Sequence, residues 1–319
     1  MSVASITRRE AVRAAIEHTD SGHLPYALAF TGPAAEVLSA HYGTADLDQA
    51  IGNCMRCIGG PWWEFVNVPE GQTEHDAPSR LPDVRGIGGY TDFYDTIARL
   101  RETTDCFILV TYYASLFEKA WFLRGMENLL VDMAQNQDYC EALFERIVTA
   151  DLNMLEMMLC ADVDGVLLGC DWGSQKALLM GPDYWRRYVG PRHARMFRVI
   201  RQAGKYAFLH SCGNILAVLP DVVAMGVQAL NPVQPECMDI REIKRRFGDT
   251  LAFWGGISTQ QTLPMGTPDD VRREVREVAA LLGEGGGYIL SPAQSIQEDV
   301  PLENCLALID EAQQLFAGR

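Results

Sequence analysis

The sequence predicts an α/β fold, a single (β/α)8 TIM barrel with an N-terminal helical extension, on three observations. Short apolar runs of strand character alternate with helical stretches, and eight such runs can be counted. Several of them end in polar residues, which is where such barrels carry their chemistry. The length, 319 residues with 48% hydrophobic content, suffices for one large core, so one domain over residues 1–319 is expected.

Taken in order, Thr7 to Glu10 reads as a capping box opening an amphipathic helix through Ala11, Val12, Ala14 and Ala15. His23 to Phe30 forms the first strand, and a helix follows from Ala34 to His41. Cys54 and Cys57 have CxxC spacing, yet no second pair follows and the frame is not a thioredoxin-type turn. They read as two helix-surface or core thiols. Trp62 to Asn67 is a short strand, followed by the long loop Pro69 to Gly89. Loops of that length are more often functional or mobile than idle. The GIGG beginning at Gly86 lacks a preceding strand and does not read as a phosphate loop.

Asp92 to Glu102 is helical, and Cys106 to Tyr113 is a continuous apolar strand of the kind buried on both faces. Helices follow from Leu116 through Asp132 and from Asp138 to Cys160, the second with Phe144, Val148, Leu152, Leu155 and Leu159 at helical spacing. The strand Gly165 to Gly169 runs directly into Cys170-Asp171-Trp172-Gly173-Ser174-Gln175. Then come a helix over Asp183 to Gln202, the strand of AFLHSCGN, a short helix over Ile215 to Met225, and the strand Val227 to Asn231. Helix Ile240 to Phe247, strand Leu251 to Gly255, a helix capped at Thr267-Pro268 and reaching Leu282, strand Gly285 to Ser291 and a helix opened by Pro301 complete the chain. The run Gly285 to Gly287 precedes its strand and reads as a tight entry turn.

The balance of 27 basic and 42 acidic residues gives a net charge of −15, which argues against nucleic acid or an anionic membrane as partner and favours a small molecule. The opening MSVASITRRE lacks the apolar region of a signal peptide, and no apolar run approaches the roughly 18 residues of a membrane span. A cytoplasmic protein is expected. Nine cysteines, odd in number and scattered, with Cys106, Cys140, Cys160 and Cys305 inside apolar patterns, read as reduced thiols.

The stretch Ala207 to Asn214 concentrates the chemistry. An apolar strand delivers His210 and Cys212 into a turn relaxed by Gly213, and residues two apart on a strand leave on the same side. An imidazole and a thiolate converging on one cation suit zinc, with bonds of roughly 2.0–2.3 Å. The competing reading is a hydrogen-bonded core histidine beside a buried free cysteine. In a barrel the strand ends share one rim, which here would gather Asp171, Gln175, His210, Cys212, Asn231, Gln234, Trp254, Ser291, Gln294 and Gln297. Several amides, a carboxylate and a His-x-Cys pair on one face point to metal binding rather than packing.

Further segments carry a resemblance: GCDWGSQK from Gly169, HSCGN from His210, NPVQPECMD from Asn231, FWGGISTQQTLP from Phe253, LPMGTPDDVRREV from Leu263 and GGGYILSPAQSIQEDVPLEN from Gly285. With ASLFEKAWFLRGMENLL from Ala114, the chain resembles the uroporphyrinogen decarboxylase superfamily, and within it the zinc-dependent corrinoid methyltransferase branch. The resemblance implies a (β/α)8 barrel and a methyl group exchanged between a corrinoid (cobalamin) on a partner protein and a small thiol, amine or ether. Zn2+ would be held by His210 and Cys212, with a third ligand among Cys170, Cys237 and Gln294 and Cys170 favoured as a thiolate. In this frame Asp171, His210 and Cys212 are catalytic, and Tyr113, Trp172, Gln175, Asn231, Gln234, Trp254 and Gln294 bind substrate. Tyr113 and Trp254 would wall the pocket and suit a quaternary amine. The resemblance also implies a homodimer as the expected assembly.

Two departures stand out. The region LPYALAFTG lacks the arginine that true decarboxylases use to hold porphyrinogen carboxylates, and SPAQSIQ lacks the cysteine that the methyltransferases carry after the last strand. A metal-assisted decarboxylase or lyase on the same scaffold, and a non-catalytic metal- or corrinoid-binding module, are the alternatives.

Overall fold

Apolar runs flanked by polar turns become parallel strands because helical connections cover both of their faces, leaving no side for water. A computed structural model of the chain describes residues 6–86 and 92–318. The end of the Pro69 to Gly89 loop and most of the GIGG at Gly86 lie outside the described residues.

The strands are β1 (Met55–Gly59), β2 (Trp63–Val66), β3 (Asp83–Gly86), β4 (Phe107–Tyr112), β5 (Gly165–Gly169), β6 (Tyr206–His210), β7 (Ala229–Val233), β8 (Ala252–Ile257) and β9 (Tyr288–Pro292). The chain divides into two units, one of Cys57–Thr103 and Leu109–Val227, the other of Met1–Arg56, Thr104–Ile108 and Gln228–Arg319.

In the first unit the strand order is β1-β4-β5-β6, with β4, β5 and β6 parallel. Every position of β5 is buried. The helices Leu116–Arg124, Met126–Gln135, Gln137–Leu159 and Gly190–Gln202 belong to the same unit. The single helix expected from Leu116 through Asp132 breaks at Gly125, whose φ of +78° ends one helix and starts the next. At that break Arg124 is fully buried, its Nε donating to Asp132 at 2.5 Å and its other nitrogens to the carbonyls of Gln72, Glu74 and His75. One guanidinium therefore anchors the start of the long loop to the helices.

In the second unit β7, β8 and β9 are parallel, and every position of all three is buried. The capping boxes at Thr7 and Thr267 are formed.

Two strand expectations are corrected. His23 to Phe30 makes only isolated bridges, Tyr26 to Leu290 and Phe30 to Ile296. The side-chain amide of Asn53 takes both backbone groups of Leu28, accepting at 2.8 Å and donating at 2.9 Å, and so occupies the place of a neighbouring strand. Trp63–Val66 pairs antiparallel with Asp83–Gly86 outside the parallel sheet, and the position beside β4 is taken by β1. Cys57 is therefore a strand residue. Cys54 is buried and Cys57 exposed, as expected of positions three apart on an extended chain.

Candidate metal centre

The centre is built where β5 and β6 end. Their register closes with Gly169 opposite His210, and the ladder continues one bond further, Cys170 N–H to the His210 carbonyl at 3.0 Å. Beyond it the two turns are joined by side chains and loop backbone. Trp172 N–H donates to Ser211 Oγ at 3.0 Å, Cys212 N–H to Asp171 Oδ1 at 2.8 Å, and Asn214 N–H to the Ser174 carbonyl at 2.8 Å.

Two glycines permit this approach. A Cβ on Gly213, where φ is +80°, would lie 2.4 Å from the Gly173 carbonyl carbon, and one on Gly173 would lie 2.6 Å from the Cys212 oxygen. Backbone packs on backbone with no room for a methyl group.

The lock brings Asp171, His210 and Cys212 together, with one ligand atom from each lying within 4.8 Å of the others. His210 Nε2 is 3.5 Å from Cys212 Sγ and 3.6 Å from Asp171 Oδ1. Tetrahedral zinc bonds of about 2.0 Å to nitrogen and about 2.3 Å to sulfur would set those two donors about 3.5 Å apart, and nitrogen and carboxylate oxygen about 3.4 Å apart. The donor set fits that ion. His210 is buried, while Asp171 and Cys212 are half-buried, so the group has an accessible side.

Cys170, expected as the third ligand, is not in the group. It is fully buried, its thiol donates to the Ser115 carbonyl at 3.1 Å, and burial followed by the charge of Glu118 pushes its pKa far up. Adjacent residues at a strand end face opposite ways, and the carboxylate of Asp171, not the thiol before it, turns toward the histidine.

Around the group, the Tyr113 ring stands edge-on to His210, with centroids 5.0 Å apart at 81°. Glu118 was not singled out in the sequence. Its carboxylate accepts the backbone N–H groups of Asp171 and Ala114, and burial, then the neighbouring Asp171, raises its pKa to about 7. The signal available was its place, an acidic residue in the first turn of the helix that follows a rim strand.

Trp172 has no face open to a substrate. Its ring is fully buried, packed edge-on against Trp185 at 5.1 Å and His193 at 5.0 Å, so it supports the Asp171 turn from beneath. Burial lowers the His193 pKa to about 4. Gln175 is exposed on the same turn.

Asn231, Gln234, Cys237, Trp254 and Gln294 belong to the other unit. Within it Asn231 Nδ2 donates to the Trp254 carbonyl at 3.1 Å, and the Trp254 indole N–H points at the Ala27 carbonyl at 3.4 Å. Cys237 Sγ lies 3.7 Å from Gln234 Oε1, and Gln294 is half-buried.

Residues 66–315 match the family model described as uroporphyrinogen decarboxylase (URO-D). The methylcobamide:CoM methyltransferase MtaA of Methanosarcina barkeri is 32% identical over 139 residues, 44% of this chain and 39% of that protein. A uroporphyrinogen decarboxylase of Psychromonas ingrahamii is 30% identical over 202 residues, covering 61% of this chain and 55% of that one. The chain thus matches well under two thirds of the length of these relatives. A solved structure, a methyltransferase from Methanosarcina mazei, shares the fold with a TM-score of 0.71 at 19% identity, over 98% of this chain and 100% of that one.

Proposed function

The chain belongs to the uroporphyrinogen decarboxylase family, and on that premise we propose that it is a zinc-dependent methyltransferase moving a methyl group between a corrinoid on a partner protein and a small thiol, amine or ether. The observation that carries the reading is the Asp171, His210 and Cys212 group, whose spacings suit tetrahedral zinc. The similarity to MtaA supports the corrinoid, and the likeness to the M. mazei structure supports a closed (β/α)8 barrel as one domain. The same reading places the protein in the cytoplasm. No helix among the described residues is long and apolar enough to cross a membrane.

In this reading His210, Cys212 and Asp171 hold the ion. Zinc, when bound, would lower the pKa of an acceptor thiol or hydroxyl and keep its anion available at neutral pH. The chain's own residues do the positioning. Cys212 N–H holds Asp171 Oδ1, so one carboxylate oxygen is oriented by the turn while the carboxylate still faces the histidine. The ring of Tyr113 meets the imidazole of His210 by edge contact, and Glu118 holds the backbone of Asp171 through the Asp171 N–H.

Metal analysis of the purified protein, followed by incubation with methylcobalamin and a small thiol, tests the proposal. Near-stoichiometric zinc and thiol-dependent loss of methylcobalamin are expected. Absence of retained zinc, or release of CO2 from a carboxylated substrate with no corrinoid requirement, would overturn it.

A further inference from the structure

Tyr113 is held in a way that packing alone does not ask for. It is 51% exposed, yet its backbone and ring are tightly constrained. The ring lies on Gly169 so closely that a Cβ there would come within 2.3 Å of Tyr113 Cδ1. The chain just after it is strained, with φ of +55° at Ala114 and +41° at Leu116, neither of them glycine. Between these two, Ser115 is fully buried and donates both its N–H, at 3.1 Å, and its Oγ, at 3.0 Å, to the Gly169 carbonyl. Such strain persists where surrounding structure over-determines it, and it concentrates at functional sites.

Burial, then two thiols and two carboxyl groups, Cys57, Cys212, Asp171 and Glu118, push the pKa of the Tyr113 hydroxyl up, so the titratable neighbours that act on it are acids. Lys119, on the helix that follows, is turned elsewhere: its Nζ donates to the Trp63 carbonyl at 3.1 Å and lies 4.7 Å from the centre of the Trp63 ring.

From the half-open ring, its seat on Gly169 and its acidic surroundings, we infer that the small molecule taken beside the metal group is a cation, a methylated ammonium or sulfonium resting on Tyr113. An aromatic face attracts such a group through its quadrupole. The inference rests on the methyl-transfer reading and names the substrate class of that site.

Isothermal titration of the zinc-loaded full chain with three ligands of one shape tests it: choline, the neutral 3,3-dimethylbutan-1-ol and the anionic 3,3-dimethylbutanoate. Choline should bind ~10-fold more tightly than the alcohol, and the anion more weakly still. Tyr113→Leu should bring choline within about twofold of the alcohol, whereas Tyr113→Phe, which keeps the aromatic face, should preserve the preference. Zinc content and melting temperature of both variants establish that the site is intact, and if Tyr113→Leu does not fold, the three-ligand ranking and Tyr113→Phe decide. Equal binding of alcohol and choline, tighter binding of the anion, no binding of choline at millimolar concentration, or loss of the preference in Tyr113→Phe would each overturn the inference. Loss of methyl transfer to thiols with the cation preference intact would overturn only the methyltransferase reading.

Discussion

Cys170 and Cys212 sit past the ends of neighbouring parallel strands, Cys170 next after Gly169 and Cys212 two residues after His210, and their fates diverge. Cys170 is sealed from solvent, its thiol on the Ser115 carbonyl and its pKa driven far up by burial. Cys212 is half-buried, 3.5 Å from an imidazole nitrogen and adjoined by a carboxylate. The same side chain is an inert hydrogen-bond donor in one turn and a ligand candidate in the other. Which side of the strand end a residue leaves from, and whether an opposing dipole or a histidine waits there, decides the chemistry.

The sharpest test of that contrast is Cys212→Ala. Zinc affinity, measured by chelator competition, should fall ~100-fold or more while the melting curve keeps its cooperativity. Stoichiometric zinc in that variant would remove the distinction between the two cysteines. Asp171→Asn comes next: the amide oxygen can still accept Cys212 N–H, so the lock should stand while zinc affinity falls about 10- to 100-fold. Should affinity instead be unchanged, Asp171 serves only the lock.

Gly213→Ala attacks the lock itself. With φ at +80° and the Gly173 carbonyl carbon 2.4 Å from the added methyl, a loss of about 1–3 kcal/mol in denaturant unfolding is expected, together with weaker zinc binding. A neutral result would mean that the two turns can part without harm.

The support beneath Asp171 is tested by pH. His193, with a pKa of about 4 folded against an ordinary 6.5, releases its proton more readily in the native state. Its contribution is therefore complete above pH 6.5, is lost as unfolded chains take up the proton below that, and levels off once the pH passes under about 4, with a limiting slope of ~1.4 kcal/mol per pH unit. His193→Phe should flatten that part of the stability profile, and an unchanged slope would place the titration elsewhere.

Cys170→Ala should have the smallest effect on metal. Zinc affinity should stay within about twofold of the parent, and stability should drop ~1 kcal/mol as Ser115 loses its donor. A large loss of zinc would make Cys170 the ligand after all.

Local pattern determined much of this protein. Continuous apolar runs foretold the buried parallel strands β4 to β9, because burial on both faces leaves no alternation to read. The two-residue period of an extended chain put His210 and Cys212 on one side of their strand. The helices were legible from their caps and spacing, as at Thr7 and Thr267.

What only the tertiary structure decided depends on partners distant in sequence. Whether Met55–Gly59 or Trp63–Val66 takes the place beside β4 is a question of pairing, and both segments carry enough strand character to qualify. Asn53 standing in for a strand at Leu28, the mutual approach of Gly173 and Gly213, and the choice of Asp171 over Cys170 beside His210 each arise between segments whose own sequences do not mention the other. A residue's type and period fix the side on which it leaves the chain, whereas what it meets there is set by chain folded back from elsewhere.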